Sequence, residues 1–192
     1  MKRIEKGFAY AKDVFAQEGV DVEAAIKAAD ATPISMHCWQ GDDIIGFDGA
    51  QAPGGGIAAI GNYPGRARTA DELRSDIDQA LGLIPGVNRI NLHASYAEPK
   101  SGKVERDALA IDDFANWVAW AKEQKVELDF TTTFFGHENA SANFTLASDD
   151  ATISRFWIEH GKRCREIAAA IGKGQASPCI LNHWMPDGYK DI

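Results

Sequence analysis

Residues 88–131 read NRINLHASYAEPKSGKVERDALAIDDFANWVAWAKEQKVELDFT, and the fold class turns on them. Asn88 to Ala94 and Val126 to Thr131 are short runs with the character of buried strands. Between them Phe114, Trp117, Val118 and Ala121 recur at helical spacing. A strand, a helix and a second strand form a right-handed βαβ unit with its strands parallel. Moving outward, Ile34 to His37 reads as an earlier strand. A helix follows it, opened by Thr69 with Glu72 three residues on as a capping box, and Leu73, Ile77, Ala80 and Ile84 form its apolar stripe. Beyond Thr131, a long helix from Asp150 to Ile171 turns Ile153, Phe156, Trp157, Cys164 and Ile167 inward and ends at Gly172 and Gly174. Pro178 to Trp184 is the fourth strand. In front of the first strand, Ile4, Phe8, Ala11 and Phe15 mark a helix closed by Gly19, and Val22 to Ala29 a shorter one, so residues 1–30 form a helical extension.

The expectation is an α/β chain with about four parallel strands in sequential order, the first half of a (β/α)₈ barrel. A complete barrel takes about 250 residues, and after Trp184 only a strand-end loop remains. With no internal repeat or linker, residues 1–192 read as one partial domain.

Four of the five histidines, His37, His93, His137 and His183, fall at or just past the C-terminal ends of the four strands, while His160 sits inside a helical pattern. In α/β sheets that edge is where ligands bind, so it reads as a catalytic face. His93 is the sharpest candidate, with Tyr96 close behind. Imidazole titrates near neutrality and suits a group that exchanges a proton with a hydroxyl. Phe134-Phe135 and His183-Trp184 bring aromatic rings to the same edge.

Composition narrows the function. Twenty-eight acidic against 20 basic residues give a net charge of −8 with no basic run, so no nucleic-acid partner is expected. No apolar stretch of about 18 residues suggests a membrane span, and an amphipathic helix follows Met1-Lys2-Arg3 where a signal peptide would have an apolar core. The expected location is cytoplasmic. Cys38, Cys164 and Cys179 are odd in number and lack CxxC spacing, against a disulfide framework or zinc knuckle. His37-Cys38 suggests a thiol pair, but neighbours in a strand point to opposite faces. Asp42-Asp43 reads as a solvated loop start. Gly54-Gly55-Gly56-Ile57-Ala58-Ala59 matches a dinucleotide-binding string without the flanking strand and helix.

The strings Ser35-Met36-His37-Cys38-Trp39-Gln40-Gly41-Asp42-Asp43, Gly61-Asn62-Tyr63-Pro64-Gly65, Asn91-Leu92-His93-Ala94, Phe156-Trp157-Ile158 and Trp184-Met185-Pro186-Asp187-Gly188 resemble, in order, the N-terminal part of the L-rhamnose isomerase family. That resemblance implies a (β/α)₈ barrel of the xylose-isomerase type, assembled as a homotetramer, that interconverts L-rhamnose and L-rhamnulose with manganese. His93 then matches a strand-two histidine near the sugar ring that assists ring opening, and Phe135 and Trp184 match aromatic residues lining the sugar site. The family's metal ligands, and its lysine at the reacting carbons, match positions beyond Ile192. This chain alone is therefore expected to be inactive and to bind no manganese. Four positions depart from the family: Thr131 and Thr132 stand where Asn-Pro is common, His183 replaces an aliphatic residue, and Ser95 replaces a branched apolar residue near the pocket expected to hold the sugar's methyl group. A non-catalytic sugar-binding domain with Trp39, Phe135 and Trp184 as platforms stays open as an alternative. A doubly wound hydrolase is weaker, for lack of a Gly-x-Ser-x-Gly elbow.

Overall fold

The structure, a computed structural model, describes residues 2–37, 46–48 and 67–189. Cys38, Trp39, Asp42, Asp43 and the glycine strings at 54–65 lie outside the described residues.

Two helices, α1 (Lys2–Gln17) and α2 (Val22–Ala31), precede the sheet. Gly19 ends α1 in the left-handed conformation (φ 77°), with its own N–H donating to the Ala16 carbonyl and that of Val20 to Phe15, both at 3.0 Å. A residue without Cβ adopts that conformation at little steric cost. Asp21 then caps α2, accepting from the Ala24 N–H at 3.0 Å. Neither helix buries a residue, and Ile4, Phe8, Phe15 and Ile26 stay exposed.

Strands β1 (Ile34–His37), β2 (Asn88–His93), β3 (Glu127–Thr131) and β4 (Leu181–Asn182) alternate with α3 (Ala70–Leu83), α4 (Ala115–Gln124) and α5 (Ala151–Lys173). The sheet runs β1-β2-β3-β4 with every pair parallel, as expected for the first half of a (β/α)₈ barrel. The start of α3 differs in detail from the expected capping box. Thr69 Oγ1 accepts from the Glu72 N–H at 3.1 Å, but the Glu72 carboxylate reaches back to the Arg68 N–H at 2.7 Å and to its guanidinium. Asp150 caps α5 by accepting from the Thr152 N–H at 2.7 Å.

The fourth strand is shorter than Pro178 to Trp184. The Ile180 N–H donates to the Asp129 carboxylate at 2.7 Å, so a side chain takes the place of a ladder carbonyl there. Gly172, near the end of α5, lets this segment pass close by, since a Cβ on it would sit 3.0 Å from the Cys179 nitrogen.

Because side chains alternate along a strand, each of the first three strands divides cleanly. Met36, Ile90, Leu92, Leu128 and Phe130 face one side and pack with Leu73 and Ile77 of α3, Trp117 of α4, and Cys164, Ile167 and Ile171 of α5. Fully burying one such side chain is worth about 1.5–3 kcal/mol, so this face supplies the cohesion. The opposite face is polar.

Candidate active site

Read by register, the polar face carries Ser35 beside Arg89 and Glu127, His37 beside Asn91 and Asp129, and His93 beside Thr131 and Asn182. Arg89, Asn91, Asp129, His93 and Thr131 are all buried, and buried polar groups need partners. Arg89 supplies many of them at the N-terminal end of the sheet. Its Nε and Nη2 donate to Asp129 at 2.9 and 2.7 Å and Nη2 donates to the Pro178 carbonyl at 2.9 Å, while Nη1 meets Glu127 and Ser177. Burial alone would raise the Asp129 pKa, but its hydrogen bonds from Arg89 and its neighbours hold it below the usual carboxylate value. One layer up, Thr131 Oγ1 donates to Asn91 Oδ1 at 2.6 Å.

His93 occupies the C-terminal end of this face. Its Nδ1 lies 3.2 Å from Thr133 Oγ1, and its ring is 6.2 Å from His37, 5.2 Å from Tyr96 and 6.2 Å from Phe135, centre to centre. Trp184 continues the arc, edge-on to Phe135 at 5.4 Å, and is 40 % exposed where Phe135 is buried. Burial, aided by the neighbouring His37 and Arg106, pushes the His93 pKa down to about 3. The ring is therefore neutral at physiological pH.

Four of the candidate residues thus meet: His93, Phe135 and Trp184 form a continuous arc, and Tyr96 lies against its inner end. Tyr96 is also part of the apolar core, packed on Trp117, whose Nε1 donates to its carbonyl at 2.9 Å. Trp39, the fifth, falls outside the described residues. The histidine edge is less uniform than the sequence suggested. His37 and His93 share the polar face, whereas His183 packs on Phe134 and beside Gly161 of α5, and His137 stacks on Phe156 of that helix. Strand alternation explains His183: with Asn182 inward, the next residue turns out and Trp184 turns back in.

Three residues that sequence reasoning passed over hold this edge in place. Arg106, 2 % exposed, donates from Nη1 to the carbonyls of Thr133 at 2.7 Å and Phe135 at 2.6 Å, from Nη2 to Gly136 at 3.2 Å, and from Nε to Asp48 at 2.9 Å. His160 brackets the same segment, with Nδ1 2.9 Å from the Arg106 carbonyl and Nε2 2.5 Å from that of Thr132. Burial pushes its pKa down to about 4. Thr133 sits at φ 55°, where a β-branched residue is strained. The run Thr131-Thr132-Thr133 at a strand end was the one visible signal. Nothing in the sequence marked Arg106, which sits in a polar loop.

Thiol chemistry finds no support among the described residues, because burial pushes Cys164 and Cys179 up to about 12. No three His, Cys, Asp or Glu side chains among the described residues converge on a point that could hold a metal ion. No described helix is long and apolar enough to cross a membrane.

A family model described as L-rhamnose isomerase matches residues 2–192. Among curated proteins, the L-rhamnose isomerase of Rhodopirellula baltica is 53 % identical over 98 % of this chain and 44 % of its own length. That of Mannheimia succiniciproducens is 50 % identical over 100 % of the chain and 46 % of its own length, and that of Pectobacterium atrosepticum 49 % over 98 % and 45 %. The chain spans a little under half the length of these relatives.

Proposed function

The chain belongs to the L-rhamnose isomerase family, and on that premise we propose that it supplies the substrate-shaping N-terminal half of an aldose–ketose isomerase acting on L-rhamnose. The observation that carries this reading is the arc of Trp184, Phe135 and His93 along the C-terminal end of the sheet's polar face. Phe135 and Trp184 offer ring faces to the C–H surface of a sugar. His93, neutral and fixed at the inner end, takes the hydrogen of the anomeric hydroxyl as the bond between C1 and the ring oxygen breaks, and returns it to the ring oxygen so released. Tyr96 closes the inner end of the proposed sugar site beside His93, and the Arg106 clamp holds this edge in place.

The family's manganese does not fit the described residues. Among the described residues Asp129 is held by Arg89 and Asp48 by Arg106, and no three His, Cys, Asp or Glu side chains gather to hold a metal ion. The metal ligands are proposed to come from the part of the relatives' length that this chain does not span, and the barrel to be closed by the same part. Assembly into a homotetramer is supported by the exposed Ile4, Phe8 and Phe15 on α1, and a cytoplasmic location by the free thiols of Cys164 and Cys179. The experiment is to join residues 1–192 to the remainder of a relative and assay L-rhamnose conversion with His93 or Gln at position 93. Equal rates would remove His93 from the chemistry.

A further inference from the structure

We propose that Thr133 is a positioning residue whose hydroxyl fixes His93 in the tautomer carrying its hydrogen on Nδ1, so that Nε2 presents a lone pair. The inference deepens the role given to His93 and rests on it only for its consequence at the sugar. The assignment itself rests on counting hydrogens.

A threonine hydroxyl has one hydrogen to donate and two lone pairs to accept with. Around Thr133 Oγ1 stand three groups. The Ala94 N–H, 3.1 Å away, can only donate, and it occupies one lone pair. The Thr131 carbonyl, 3.2 Å away, can only accept, and it takes the hydroxyl hydrogen. What remains for His93 Nδ1 at 3.2 Å is the second lone pair, and a lone pair is matched only by an N–H. The hydroxyl is thus inserted between an N–H of the segment after β2 and a carbonyl of β3, and this polarity passes to the imidazole. With burial holding the ring neutral, one ring hydrogen is present, and Nδ1 has it.

The backbone gives an independent reason to assign Thr133 a task. Its φ of 55° is a strained conformation for a β-branched side chain. The structure retains it there, with Arg106 bonded to its carbonyl and His160 to the carbonyl before it. This turn lifts the hydroxyl into the gap between Ala94 and Thr131, directly against the imidazole. If His93 faces a sugar hydroxyl, it does so as an acceptor, which is what removing a hydroxyl hydrogen requires.

The tautomer can be read directly from ¹⁵N-histidine-labelled intact chain at pH 7, using long-range ¹H–¹⁵N correlation and the loss of signals in His93→Gln for assignment. The expected result is a pyrrole-type Nδ1 and a pyridine-type Nε2, unchanged in Thr133→Ser and shifted toward the opposite tautomer in Thr133→Val. A pyridine-type Nδ1 in the parent chain, or an unchanged tautomer in a folded Thr133→Val, would overturn the proposal. Should Thr133→Val fail to fold, the parent chain and Thr133→Ser decide the matter alone. An Nδ1–H tautomer combined with undiminished turnover in the joined His93→Gln enzyme leaves the assignment standing and removes the catalytic role.

Discussion

Neutrality at His93 is the feature from which the residue-scale chemistry follows. An imidazole buried among Tyr96, Phe135 and His37 takes no second proton near pH 7, so in the proposed reaction it would act as an acceptor and not as a cation. In the joined enzyme, His93→Gln should lower kcat on cyclic L-rhamnose by about 10² to 10⁴, the usual worth of a positioned acid–base group. Bound manganese, measured by metal analysis, should be unchanged. Trp184→Ala should instead raise KM with little loss of kcat, since an exposed ring contributes binding that ground and transition states share. His93, Phe135 and Trp184 were legible from their positions at strand ends and from the family strings. Thr133 was not, because its importance comes from a left-handed backbone and three partners distant from what its side-chain type suggests.

At the scale of elements, the alternation in β2 and β3 carried more than strand character. Strands of a parallel sheet covered on both sides usually read as continuous apolar runs. Here Arg89, Asn91 and His93 alternate with Ile90 and Leu92, and Glu127, Asp129 and Thr131 with Leu128 and Phe130. The apolar rows hold the helices, and the polar rows face what the proposed barrel would enclose. The sequence could not show how that polar face is satisfied, because Arg89 finds its partners on β3 and before β4, some 40 and 90 residues away. Nor could it show that Asp129 would cut β4 short by taking the Ile180 N–H. The Arg106 clamp is the element-scale device with the largest expected effect. Arg106→Met takes a guanidinium from the half-buried Asp48 and from three buried carbonyls, and should lower unfolding free energy in urea by about 3–5 kcal/mol. Lys162→Ala, which removes an exposed pair with Glu159, should change it by under about 1 kcal/mol.

Across the whole molecule, His93 and His160 link stability to pH. Their native pKa values, about 3 and about 4, lie below the ordinary value of 6.5 to which unfolding returns them. Between pH 6.5 and 4 the unfolded chain therefore binds up to two more protons than the native one. Stability is full above pH 6.5 and falls as the pH drops, by up to about 2.7 kcal/mol per unit while both histidines count. Urea midpoints taken from pH 7 to pH 4 should show this decline, and His160→Gln should make it shallower. As proposed, this chain shapes the sugar site of an isomerase whose metal ligands come from the part of its relatives' length that it does not span. The most direct test of this proposal compares L-rhamnose conversion and bound manganese for residues 1–192 alone and for the same residues joined to the remainder of the Rhodopirellula baltica relative. Neither turnover nor stoichiometric manganese is expected in the chain alone, and both are expected in the joined protein. Turnover by the chain alone, or a folded, manganese-loaded joined protein that leaves L-rhamnose unconverted, would contradict the proposal.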